Sequence, residues 1–219
     1  MVKFNFSLLD QPVQIENLTI FAIEDIALYS KIIKQIYSYE SGEDFKIFNE
    51  KYEALKPSEL VIITDILGYE INSTTVLKLI YTDLENQLNQ KPEVKSMIDK
   101  LTATITDIIS YELIENEMDL ECDEITIQEL FKSLGIKIET RSDNFLEKTI
   151  EIIQVFKFLT KKKLLVFINA CAYFTRKEMD YLIEYVQLHQ IDVLMLEGRR
   201  VSNLPQYVLD SDYFLNVYR

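Results

Sequence analysis

Two uninterrupted apolar runs constrain this chain more than any other feature. Leu164-Leu165-Val166-Phe167-Ile168 and Val193-Leu194-Met195-Leu196 stand either side of a helical stretch from about Arg176 to Leu188. A run with no polar alternation is a strand buried on both faces, and such strands belong to parallel or mixed sheets covered by helices. The N-terminal sixty-five residues repeat the style. Phe4, Phe6 and Leu8 alternate with polar residues as a half-buried strand does, and Leu18 to Ile23 is a second, more buried one. A helix follows, with Tyr29, Ile32, Ile33, Ile36 and Tyr37 spaced for one face. Phe45 to Phe48 and Leu60 to Ile63 add short strands, and Tyr213 to Val217 closes the chain.

The middle has a different texture. Leu77, Ile80, Tyr81, Leu84 and Leu88 form one helical stripe, and Ile98, Leu101, Ile105, Ile108 and Ile109 form another. Thr126 and Glu129 make a capping-box pair opening a short helix that ends at Gly135, and a further helix runs from about Asp143 to Leu159, entered through Ser142. The expected organisation is an α/β head of mixed-sheet type, residues 1–65 and 160–219, carrying an α-helical leg over 66–159.

Function classes fall away quickly. The only glycines, Gly42, Gly68, Gly135 and Gly198, lie too far apart for a phosphate loop, which needs several within a few residues. The first strand–helix junction, Ile23-Glu24-Asp25-Ile26, puts two carboxylates where a phosphate cradle would stand. The Leu164–Ile168 strand ends in Asn169 where a Walker B strand ends in aspartate. One histidine, His189, excludes His-clustered zinc, and two cysteines, Cys122 and Cys171, make neither a zinc site nor a disulfide framework. His189 itself reads as a partner of a helix C-terminus. Neither a signal peptide nor a membrane span is legible, so a soluble cytoplasmic protein without enzymatic activity is expected.

The sharpest local feature is Glu112 to Glu124, ELIENEMDLECDE, with seven carboxylates and no basic residue. Like charges at that density disfavour regular structure unless a cation intervenes. Oxygen ligands in a flexible segment suit Ca2+, although the EF-hand spacing fails: Glu124 falls at the obligatory glycine. A solvated acidic bend and a two-metal nuclease are the competing readings. The run carries seven of the thirteen net negative charges, and residues 125–163 that follow hold eight basic residues against five acidic. Lys161-Lys162-Lys163 ends that segment as a charged turn before a buried strand.

Several stretches together resemble one family. They are Phe4-Asn5-Phe6-Ser7-Leu8-Leu9-Asp10, Thr64-Asp65-Ile66-Leu67-Gly68, Lys91 to Leu101, Asp123-Glu124-Ile125-Thr126-Ile127, Leu159 to Leu165 and Leu204-Pro205-Gln206-Tyr207. The chain resembles the Csn-two family, the small CRISPR-associated proteins of type II-A adaptation systems. The resemblance implies a head related to P-loop ATPase folds without a nucleotide site, and a homotetrameric ring that takes up double-stranded DNA ends. It also implies Ca2+ as the organising ion and other CRISPR adaptation proteins as partners. Metal binding is carried onto Glu117, Asp119, Glu121, Asp123 and Glu124 as a group. Lys132, Lys137 and Arg141 are taken as the DNA-contacting candidates from the basic segment. The alternative is a protein–protein adaptor of the adaptation machinery, with DNA binding incidental.

Overall fold

Strands buried on both faces alternate their side chains between two cores, and the chain is built that way. The structure is a computed structural model that describes residues 2–40, 44–116, 118–140, 144–158 and 161–219. In chain order, β1 (Val2–Asn5), β2 (Val13–Ile15) and β3 (Leu18–Ile23) lead into α1 (Ile26–Tyr37), β4 (Lys46–Asn49) and β5 (Leu60–Ile63). Three helices follow: α2 (Thr74–Asn89), α3 (Pro92–Leu113) and α4 (Ile127–Ser133). The chain returns through α5 (Phe145–Phe158), β6 (Leu164–Ile168), α6 (Arg176–His189), β7 (Val193–Glu197), β8 (Gln206–Leu209) and β9 (Leu215–Tyr218). Chain contacts divide it into two compact units, Met1–Glu70 with Thr140–Arg219 and Ile71–Glu139.

The first unit holds a six-stranded sheet in the order β5-β6-β7-β3-β8-β9, parallel except for the antiparallel β8–β9 pair. It is a mixed α/β fold on a mostly parallel sheet, as expected. A smaller antiparallel sheet, β2-β1-β4, completes the unit. Leu164, Val166 and Ile168 of β6 join one core with Phe4, Phe21 and Ile32, while Leu165 and Phe167 join the other with Ile152, Phe156 and Leu182. Phe4 meets Phe21 edge-on at 5.0 Å and stacks near Phe45 at 5.5 Å, arrangements that ring quadrupoles favour.

Three expectations need correction, and one falls outside the described residues. The helix expected in the insertion, α5, buries Ile152, Ile153 and Phe156 in the second core of the first unit, so the chain leaves that unit at Glu70 and re-enters it at Thr140. Asn144 opens α5, its side chain accepting the Glu147 N–H at 2.9 Å, while Ser142 and Asp143 lie outside the described residues. Leu8 is exposed in a turn closed by Leu9 N–H on the Phe6 carbonyl at 2.9 Å, so β1 ends before it. Tyr37 lies off the buried face of α1, which is Tyr29, Ile32 and Ile36.

In the second unit α2 packs against α3 and α4. Asn72 clasps the Ile138 backbone through both amide atoms, at 2.9 and 3.0 Å, and the Tyr81 hydroxyl donates to the Ile136 carbonyl at 2.8 Å. The Thr126–Glu129 capping box forms as read: the Thr126 hydroxyl accepts from Glu129 N–H, and the Glu129 carboxylate accepts from Thr126 N–H at 2.9 Å. Thr126→Ala is therefore expected to cost about 1 kcal/mol. Hydrogen exchange should speed up in the 127–133 amides and stay slow in β6. Unchanged exchange in α4 would show the cap to be idle.

Candidate functional sites

In an open parallel sheet, ligands gather beyond the carboxyl ends of the central strands. Here that place is filled by the chain itself. β3 runs into α1 with only Glu24 and Asp25 between them. Asp25 accepts the Leu28 N–H at 2.7 Å, so one of the free amides of the helix start is met from within. The Glu24 N–H donates to the Leu209 carbonyl at 3.0 Å, tying the junction to β8. Tyr29, one turn into α1, donates its hydroxyl to Asn169 Oδ1 at 2.7 Å, past the end of β6. The Gly198 N–H, just past β7, also donates to Asn169 Oδ1, at 3.3 Å. A Cβ at Gly198 would stand 3.1 Å from the Tyr29 ring, closer than ordinary contact, so a side chain there would press on that ring.

Behind this lock lies Glu197, the buried last residue of β7. Its Oε1 accepts the Cys171 N–H at 2.9 Å. Burial raises the Glu197 carboxyl above the usual carboxylate range, against the opposing pull of the Cys171 and Ala170 N–H groups and of Arg199. Burial, and then the nearby Glu197, pushes the Cys171 thiol and the Tyr29 hydroxyl far up. A thiol so placed is a poor nucleophile. Asn169 was legible as the residue ending an apolar run. Glu197 carried the same signal, a carboxylate closing Val193–Leu196, and went unread; Tyr29 read as core alone.

The acidic segment looks different from a built metal cage. Asp119, Glu121, Asp123 and Glu124 are exposed on a stretch without helix or strand between α3 and α4, and Glu117 lies outside the described residues. Among the described residues, no three Asp, Glu, Cys or His side chains gather as metal ligands would. Cys122 Sγ lies 2.9 Å from Ser110 Oγ, pinning the segment back on α3. The four described carboxylates thus have the right chemistry for a hard cation and lack the convergence. They would have to turn toward one another to hold one.

The basic candidates are equally separate. Lys132 is exposed in the last turn of α4, Lys137 is exposed after Gly135, and Arg141 lies outside the described residues. Lys162 is not a free cation: its Nζ donates to the Leu60 carbonyl at 2.8 Å, and burial lowers its pKa. His189 ends α6, its Nδ1 2.7 Å from the Tyr185 carbonyl and its ring stacked on Tyr185 at 4.1 Å. No helix among the described residues is long and apolar enough to cross a membrane.

An exposed apolar stripe runs along α3. Met97, Leu101, Ile105 and Ile108, four of the apolar residues spaced along that helix, are all about half exposed or more. Such a stripe on a charged chain marks an interaction surface.

Comparison with known proteins fits this geometry. The family pattern described as CRISPR-associated protein (Cas_Csn2) matches residues 38–213. A CRISPR-associated protein Csn2 of Streptococcus agalactiae is 57 % identical over 215 residues, spanning 98 % of this chain and 97 % of that protein. Another from Enterococcus faecalis is 54 % identical over 215 residues, spanning 98 % of both. The crystal structure of Stu0660 of Streptococcus thermophilus superposes with a TM-score of 0.60 at 14 % identity, covering 99 % of this chain and 76 % of that one, which is a likeness of fold.

Proposed function

The chain belongs to the Csn2 family of CRISPR-associated proteins, and on that premise we propose that it serves spacer acquisition in type II-A systems by holding double-stranded DNA ends. In this reading it works as a homotetrameric ring, without catalysing a reaction and without reading base sequence. Near-full-length likeness to Csn2 proteins carries the proposal. The filled strand–helix junction supports the non-catalytic part, because Asp25 and Tyr29 occupy the space in which a phosphate would be cradled. The exposed stripe of α3 supports assembly, since apolar surface of that kind is covered in a stable oligomer. Charge is unevenly shared along the chain, with both parts net acidic. Residues 71–139 hold six basic against fourteen acidic side chains, while the rest of the chain holds seventeen against twenty-two.

A ring that touches only phosphates has no access to the donor and acceptor code of the grooves. Ends are favoured because a ring must be threaded. Calcium enters through Glu117, Asp119, Glu121, Asp123 and Glu124. When bound, it removes their mutual repulsion and the repulsion they exert on a DNA backbone. The segment also joins α3, which carries the apolar stripe, to the capped start of α4. Its conformation therefore bears on assembly as well as on DNA.

The test is a gel shift on a linear duplex and on a closed circle of the same sequence, with calcium or with a chelator. Linear DNA should shift in calcium and the circle should not. The variant with Glu117→Gln, Asp119→Asn and Asp123→Asn should lose the calcium response. Equal affinity for circles would overturn the end-binding reading, and a full calcium response in the variant would place the ligands elsewhere.

A further inference from the structure

The six-stranded sheet has two open edges, and they are not alike. At β5, Lys162 Nζ occupies the Leu60 carbonyl, and Pro57 opens the turn that precedes the strand. Lysine and proline are what natural sheets use to keep an edge from pairing. The residues of β9 carry no such guard, and the cation stacked on them, Arg200, lies over the Tyr218 ring at 3.8 Å. Residues 213–218 (Tyr-Phe-Leu-Asn-Val-Tyr) include neither charge nor proline. Their apolar side chains face solvent: Phe214 is 69 % exposed, Leu215 37 % and Val217 55 %.

The backbone there is set for pairing. β9 matches β8 in the register Val208↔Asn216 and Gln206↔Tyr218, and the Phe214 carbonyl accepts the Asp210 N–H at 3.1 Å. In an antiparallel ladder, alternate residues turn their N–H and C=O to the same neighbour. Phe214, Asn216 and Tyr218 therefore address β8, and the N–H and C=O of Leu215 and Val217 point out of the open edge.

We infer that β9 is a self-pairing edge, which joins antiparallel to β9 of a second copy of this chain about a twofold axis at Asn216. In that register Leu215 faces the partner's Val217 twice over, and the outward backbone groups of both residues bond across the junction. Asn216 faces the partner's Asn216, and Phe214 faces the partner's Tyr218. Each facing pair within Phe214–Tyr218 is apolar, aromatic or amide, so no like charges oppose one another there. A one-residue slip would send the exposed apolar pair to the wrong face. Centring the axis on Val217 would instead oppose Leu215 to the terminal Arg219. A second copy suits this edge because the strand is complementary to itself, and an isologous contact requires that.

The inference deepens the assembly part of the proposed function and rests on it for the presence of more than one copy. Its test is a charge swap read by light scattering. Leu215→Lys with Val217→Lys sets lysine against lysine in both facing pairs, whereas Leu215→Lys with Val217→Glu sets lysine against glutamate. The first variant should fall to half the wild-type particle mass, and the second should keep the full mass. The second also controls for folding, since it alters the same two exposed positions. If the lysine–lysine variant keeps the wild-type mass, or the lysine–glutamate variant falls with it, the edge inference is wrong while the assembly reading stands. A wild-type chain that is monomeric throughout would sink both. A second readout is the cross-link. With Cys122→Ser, Asn216→Cys should form a disulfide-linked dimer on mild oxidation, because facing residues at a non-hydrogen-bonded site lie within disulfide reach. Absence of that dimer in a multimeric sample would overturn the register.

Discussion

Truncating Tyr29 to alanine is expected to remove about 3–5 kcal/mol of stability without giving the chain any affinity for nucleotide. The ring is buried in the core shared by β1, α1 and the central strands, and its hydroxyl is what Asn169 holds at 2.7 Å. Truncation leaves both a cavity and an amide served only by the weaker Gly198 N–H at 3.3 Å. Tyr29→Phe removes the hydrogen bond alone and should cost about 1 kcal/mol. Urea unfolding of the two variants separates packing from the polar lock. A truncation cost below that of the phenylalanine variant would show that the ring holds nothing in place. Opening the space still supplies no converging amides, because Asp25 caps the helix start. Lys31 is the first lysine of α1 after this junction, so ATP turnover by either variant that Lys31→Ala abolished would contradict the reading of the junction.

Duplex-end binding should collapse as salt rises. Neutralising about six to ten phosphates makes affinity fall about 10³–10⁵-fold between about 50 and about 200 mM salt. An adaptor whose DNA contact is incidental would show a shallow dependence instead. Replacing Lys132 and Lys137 with glutamine should flatten the logarithmic slope by about one for each lysine that meets a phosphate. An unchanged slope removes both from the DNA surface. Linear duplexes of equal length and different sequence should bind alike, and a strong preference among them would require base contacts that a phosphate-reading ring does not make.

The parts of the fold that could be read in advance are those whose residues carry the evidence locally. β3, β6 and β7 are buried on both faces, so their sequences are apolar nearly throughout, Thr19 in β3 and the closing Glu197 of β7 being the exceptions. The Thr126–Glu129 pair is a cap spelled out within four residues. β2 is three residues long and β8 four, and β8 begins with Gln206, a buried polar side chain that bonds the Val201 and Leu204 backbone. Neither offers a period long enough to register. The place of α5 was unreadable for another reason: an amphipathic helix declares that it buries a face, not which surface receives it. The lock of Tyr29, Asn169 and Gly198 joins three elements far apart in sequence, and only the parallel order of β6, β7 and β3 brings them together. The acidic segment was plain as a composition, but how its carboxylates are directed depends on a backbone that no local pattern specifies.

The order of strands also sets a timetable for the growing chain. β3 lies inside the sheet, yet both its neighbours are made near the end: Leu18 pairs with Val193, and Phe21 with Tyr207. At about 5–20 residues per second, the ribosome needs roughly ten to thirty seconds to deliver β7 after β3 has emerged. Throughout that interval Leu18–Ile23, an apolar run with open backbone groups on both sides, has no native partner strand. Non-local pairing of this kind is slow even once the whole chain is present. The helices of 71–139 make their contacts with one another and need not wait. Nascent chains of this protein are therefore expected to form the helical segment ahead of the sheet, which would leave the N-terminal strands as the part in need of protection.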